Sequence, residues 1–190
     1  SYTGSERVRW VNRGEKPTSV LYFHLYSNLR SSDSELGNAN ASSEADEPRL
    51  DILEVRAVQS DTPLYFFLDD QATTLRVNLR EPVAAQSSVE VSIKFKGVVP
   101  EIDPDETSLT THVVKQVSAA LRSDRETRRA RDINFRCKGV MLLSTAYPVL
   151  AVHDGDEWRR KVEPSVGDIV FNEVADYEVN VTAPTGIEVF

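Results

Sequence analysis

The stretch "SSVEVSIKFKG", residues 87–97, sets Val89, Val91, Ile93 and Phe95 against Glu90, Ser92, Lys94 and Lys96. Successive side chains of an extended chain point to opposite faces, so this alternation predicts a half-buried strand with an apolar inner face and a polar outer one.

The same period of two recurs on both sides of it. In "ERVRWVN" (6–12), Val8 and Trp10 oppose Arg7 and Arg9. In "SVLYFHLYSN" (19–28), Leu21, Phe23 and Leu25 alternate with Tyr22, His24 and Tyr26. That run is rich in aromatics and nearly continuous in apolar character, which predicts a strand near the centre of a sheet. Between the two, "NRGEKPT" supplies Gly14 and Pro17 as turn residues, and a hairpin joining the first two strands is expected. Further short runs, "LDILEVRAVQ", "PLYFFLDD" and "TTLRVNL", end at Asp, Pro, Gly or Ser. "INFRCKGVMLLSTAYPVLAVHDGDEWRRKVEP" returns to strands, broken at Pro148, with "HDGDEW" as a turn. In "ADYEVNVTAP" (175–184), Tyr177, Val179 and Val181 face away from Glu178, Asn180 and Thr182, which predicts a last strand. The fold class expected is all-β: roughly ten strands in saddle-like or sandwich-like twisted antiparallel sheets.

Two segments depart from the pattern. Residues 30–48, "RSSDSELGNANASSEADEP", carry almost no large apolar side chains, so burial cannot offset the entropy of ordering them. They are expected to form a mobile surface loop. In "SLTTHVVKQVSAALRS", Leu109, Val113, Val114, Val117, Ala120 and Leu121 form a helical stripe, predicting one amphipathic helix over about 108–122. Ser123 and Glu126 then have capping-box spacing, extending the helical insertion to about 131.

Composition narrows the function classes. The chain has 190 residues, 40% of them hydrophobic and 27% charged, which suits one soluble domain with a sizeable core. No apolar run approaches the ~18 residues of a membrane span. The net charge of -8 disfavours a nucleic-acid partner, because phosphate-rich ligands are held by clustered Lys and Arg. The single cysteine, Cys137, forms no internal disulfide and leaves the compartment open, cytoplasmic or exported. The first residues already alternate and the last, "TGIEVF", stop on an apolar strand-like note, so the chain is expected to be a fragment of a longer polypeptide.

Motifs for chemistry are scarce. His24, His112 and His153 lack the spacing of a helical zinc motif. "EIDPDE" (101–106) lacks the glycine and distal Glu of a calcium loop and is expected to be a solvated loop. Six arginines between Arg122 and Arg136 face three acids, a pattern expected of a solvated helical surface with internal pairs. There is no Gly-rich phosphate loop and no GxSxG elbow. The sequons at Asn40 and Asn180 are too short to carry weight, and Asn180 falls in the expected last strand.

Three blocks occur in order over nearly the whole chain: "YTGSERVRWVNRGEKPTSVLYFHLYSN", "YPVLAVHDGDEWRR" and "GDIVFNEVADYEVNVTAPTGIEV". Together they resemble the N-terminal β-domain of the gluzincin zinc aminopeptidases, the group of alanyl aminopeptidase and leukotriene A4 hydrolase. The third is the most specific, a Gly-Asp turn, an acidic spacer and an alternating strand that ends in Pro. The resemblance implies a single saddle-like N-terminal domain, residues 1–190, packed beside a thermolysin-like catalytic domain of the same chain. Its insertions would be 30–48 and 108–131. In that family the HExxH and GxMEN motifs belong to the later domain, and neither occurs here. This part would hold no zinc and no peptidase activity, while the parent would be a zinc enzyme acting on peptide N-termini. The domain's part would be to wall the cleft.

Family members carry a Gln or Glu before their conserved proline that helps anchor the substrate amine. If Tyr147 and Pro148 are that landmark, the matching region is "RCKGVM", whose polar members are Arg136 and Lys138. The resemblance therefore implies a cleft edge at Arg136, Lys138 and Tyr147, with cations in place of the anchor. The other readings are a free-standing β-sandwich interaction or adhesion module, and a homologue whose catalytic domain has lost its zinc ligands.

Overall fold

Strand β7 (Ser88–Val98) is the alternating stretch quoted first, and it is interior to its sheet. On one side it pairs with β1 (Tyr2–Val11), on the other with β3 (Arg49–Ala57), and β4 (Thr62–Pro63) follows β3. All pairings are antiparallel, with Val8 opposite Val91 and Trp10 opposite Val89. Val91 and Ile93 are fully buried, whereas Lys94 and Lys96 face solvent, as the alternation requires. The computed structural model describes residues 1–29, 48–102, 104, 134–155, 157–160, 162 and 172–189. The expected helix over 108–122, its extension to 131 and the loop 30–48 lie outside them, apart from the buried Pro48.

The second sheet contains β2 (Thr18–His24), flanked by β6 (Thr74–Val83) on one side and β10 (Val149–Leu150) on the other. Beyond β6 lies the edge strand β5 (Phe66–Asp69). One core draws on both sheets: Trp10, Leu50, Val55, Val91, Ile93 and Phe95 from the first, and Leu21, Phe23, Leu75, Val77 and Val83 from the second. The architecture is therefore all-β with antiparallel sheets. Among the described residues, no helix is long and apolar enough to cross a membrane. β2 is buried on both faces, Leu21 and Phe23 on one and Tyr22 and His24 on the other, which is why its sequence reads as nearly continuous apolar character.

The hairpin expected between the first two strands does not form: β1 pairs with β7 and β2 with β6, in different sheets. Asn12 supplies the reason. Its side chain, fully buried, donates to the carbonyls of Lys16 (2.9 Å) and Val83 (2.9 Å) and accepts from the Gly14 N–H (3.0 Å). This Asx-type turn fastens the link to the end of β6, so the chain crosses between sheets instead of doubling back.

A bulge in β3 shifts register between Ile52 and Glu54. Leu50 lies in the core before the bulge and Val55 after it, while Leu53 at the bulge is 59% exposed. The extra residue resets the phase of the inner face.

Where β1 meets β7, aromatic rings lie over glycines. Tyr2 is opposite Gly97 and Gly4 is opposite Phe95, and a Cβ on either glycine would fall inside the facing ring. The Tyr2 hydroxyl donates to the Ala146 carbonyl at 2.8 Å. Gly97→Ala must push this ring aside and break that bond, so it is expected to cost about 1–3 kcal/mol, measured as a lower denaturation midpoint at unchanged m-value.

The last expected strand is absent as well. Residues 172–183 join no ladder, and Tyr177, Val179 and Val181 are 59%, 74% and 60% exposed. The alternation in "ADYEVNVTAP" is present, but a strand also needs a neighbour to take its backbone groups, and none among the described residues does so. Asn180 is thus exposed and outside any strand.

Candidate functional site

Arg136 and Lys138 sit on the hairpin of β8 (Asn134–Cys137) and β9 (Val140–Leu143). The turn residues Lys138 (φ 48°) and Gly139 (φ 82°) both have positive φ, the geometry of a tight two-residue hairpin turn. The base of the hairpin is fixed by Asn134, fully buried, whose amide donates to the Thr145 hydroxyl (2.8 Å) and whose oxygen accepts the Thr145 N–H (3.1 Å). Ser27 joins the same network by donating to the Thr145 carbonyl at 3.0 Å.

The hairpin leans on the segment near residue 101. The Arg136 N–H donates to the Pro100 carbonyl (2.8 Å), and the Ile102 N–H donates to the Arg136 carbonyl (2.9 Å). The Arg136 guanidinium reaches Glu101 Oε2 at 2.7 Å, so its charge is balanced in place. Lys138 stands at the hairpin tip with no ion pair among the described residues. Along β9, Val140, Met141, Leu142 and Leu143 are 68%, 40%, 40% and 40% exposed. Successive side chains of a strand point to opposite faces, so both faces of β9 are open to solvent.

Tyr147 occupies a different neighbourhood. It packs against the core and its ring meets Tyr177 at a centroid distance of 6.3 Å. Burial pushes its hydroxyl up to about 12, with Tyr177 and the Glu6 carboxylate adding to the rise. The structure therefore joins Arg136 and Lys138 on one hairpin and puts Tyr147 beside Glu6 and Tyr177, two residues beyond the Asn134–Thr145 link.

Glu6 was not among the residues singled out from sequence. It lies on the inner face of β1, in phase with Tyr2, Val8 and Trp10, and its Oε1 has no hydrogen-bond partner. Burial pushes its carboxyl up to about 8. The available signal was its register: in "YTGSERVRW" an acid falls where the alternation calls for an apolar residue.

His24 and His153 belong to no metal-ligand cluster among the described residues. His24 is 3% exposed in β2, and burial lowers its pKa, partly opposed by a hydrogen bond with the Arg159 backbone. His153 opens the short hairpin of β11 (His153–Asp154) and β12 (Glu157–Trp158). Its ring packs edge-on against Trp10 (5.3 Å) and Trp158 (4.7 Å). His112 lies outside the described residues, as do Asn40 and most of the arginine run. Among the described residues, no three His, Cys, Asp or Glu side chains come together as a metal site. A hollow of about 360 Å³ is lined by Asp69, Asp70, Thr74 and Arg160, and none of the sequence-predicted residues reaches it.

Set against family models, curated proteins and solved structures, the chain finds no match in any of the three.

Proposed function

We propose that this chain is the non-catalytic N-terminal β-domain of a zinc metallo-aminopeptidase, lining and shielding the cleft in which a downstream domain removes residues from peptide N-termini. The observation that carries this reading is the β8–β9 hairpin. The resemblance assigns Arg136 and Lys138 to a cleft edge, and these residues stand on a braced hairpin whose neighbours, Val140 to Leu143, offer apolar surface to a further body. An apolar hairpin strand fastened at its base by buried hydrogen bonds suits a wall. Arg136 is neutralised by Glu101, which leaves Lys138 as the cation at the tip. A cation there with no ion pair among the described residues would repel a protonated substrate amine, so the amine would be anchored by the catalytic domain.

The test is the reading frame that encodes the chain. An HExxH segment within roughly one to two hundred residues downstream, the span of an ordinary following domain, supports the proposal. A stop codon or a further β-repeat at that place contradicts it and supports an interaction module instead. The edge strand β5 and its approach favour that second reading: Tyr65, Phe67 and Leu68 are 84%, 54% and 44% exposed, as on an edge that receives a partner.

A further inference from the structure

We infer that the open edge of β1 takes residues 175–182 of a second copy of this chain as an added strand, so that two copies pair by exchanging these segments. β1 is ten residues long, hydrogen-bonded to β7 on one side, and no strand among the described residues lies on the other. Such an edge is a template for strand addition, since its N–H and C=O groups are already aligned. Residues 175–182 have the complementary deficiency: alternation without a ladder.

Periodicity and charge agree on both faces. On the inner face, Tyr177, Val179 and Val181 would continue the row that holds Val8 and Trp10. On the outer face, Asp176 and Glu178 would come beside Arg7 and Arg9. Residues 172–189 contain Glu173, Asp176, Glu178 and Glu188 and no Lys or Arg, a formal charge of -4. Arg7 is already 3.4 Å from Glu90, whereas Arg9 has no ion pair among the described residues, so the edge has a cation to offer. Pro184 ends the donor segment, because it has no N–H to extend a ladder. The segment of the same copy rests with Tyr177 against Tyr147 and joins no ladder among the described residues, leaving each edge to the segment of the other copy. The exchange is isologous, which closes the assembly at two copies.

Sedimentation velocity of the full chain over a wide concentration range, at low and high salt, tests this. The expected result is a monomer–dimer equilibrium that weakens with salt. Val179→Pro removes an N–H from the donor segment at an exposed position outside every ladder, so the monomer should melt unchanged while dimerisation weakens by about tenfold or more. Arg7→Glu with Arg9→Glu should weaken it similarly, and adding Asp176→Arg with Glu178→Arg should restore it. A chain that stays monomeric at every concentration overturns the inference. So do a dimer indifferent to Val179→Pro, and residues 175–182 protected from hydrogen exchange in dilute monomer.

Discussion

Glu6→Gln should stabilise the protein at alkaline pH and remove most of the fall in stability between about pH 5 and pH 9. Burial raises the Glu6 carboxyl from 4.5 to about 8. The folded state therefore keeps a proton that the unfolded chain releases across this window. The sign follows: the group costs nothing below its unfolded pKa, and stability is lost progressively as pH rises towards 8. At about 1.4 kcal/mol for each unit, the full cost is on the order of 4–5 kcal/mol. Glutamine has the same shape and cannot ionise, so urea titrations at the two ends of the window should differ strongly for the wild type and little for the variant. Parallel pH profiles for the two proteins would sink the assignment. His24, whose pKa is lowered by burial, destabilises in the opposite direction as pH falls below about 6.5, and it is common to both proteins.

Asn28→Ala should be severely damaging although the side chain is polar. Asn28 ends the 3-10 turn Tyr26–Asn28 and is 5% exposed. Its amide donates to the carbonyls of Leu50 (3.0 Å) and Ala72 (2.8 Å), and its oxygen accepts the Leu50 N–H (2.8 Å). One side chain thus ties the start of β3 to the turn between β5 and β6, across the two sheets. Alanine would leave a donor and two acceptors without partners at about 1–3 kcal/mol each, and because the Ala72 carbonyl is only part-buried and can turn to water, a total of about 3–6 kcal/mol is expected. That is comparable to the whole stability of a small domain. The measurement is the midpoint of chemical denaturation, with unfolding at 25 °C as the extreme outcome. A loss below about 1 kcal/mol would show that water replaces these bonds freely.

Strands that bury one face were legible because such burial writes a period of two into the sequence. β7 shows this most clearly, with Val91 and Ile93 inward and Lys94 and Lys96 outward. Sheet membership was not legible. Gly14 and Pro17 mark a turn correctly, but the three hydrogen bonds of Asn12 decide that the chain crosses to the other sheet. Turn residues report a change of direction and say nothing about which strand becomes the neighbour. Residues 175–182 teach the converse, since their alternation is a capacity to pair that needs a partner to express it. Of the site, the proximity of Arg136 and Lys138 was legible from sequence separation. The buried carboxyl of Glu6 was visible only as an acid out of place in an apolar row, and the approach of Tyr147 to Tyr177 depends on long-range packing.

The measurement that bears most directly on the proposed function compares this chain with a longer one carrying the downstream coding sequence. Each is assayed for bound zinc and for release of N-terminal residues from short peptides. The longer protein is expected to hold zinc and cleave, with activity lost on chelation, while the 190-residue chain does neither. Zinc-dependent cleavage by the 190-residue chain alone, or a longer protein that binds no zinc and leaves the peptides intact, would contradict a cleft-lining domain of a zinc aminopeptidase.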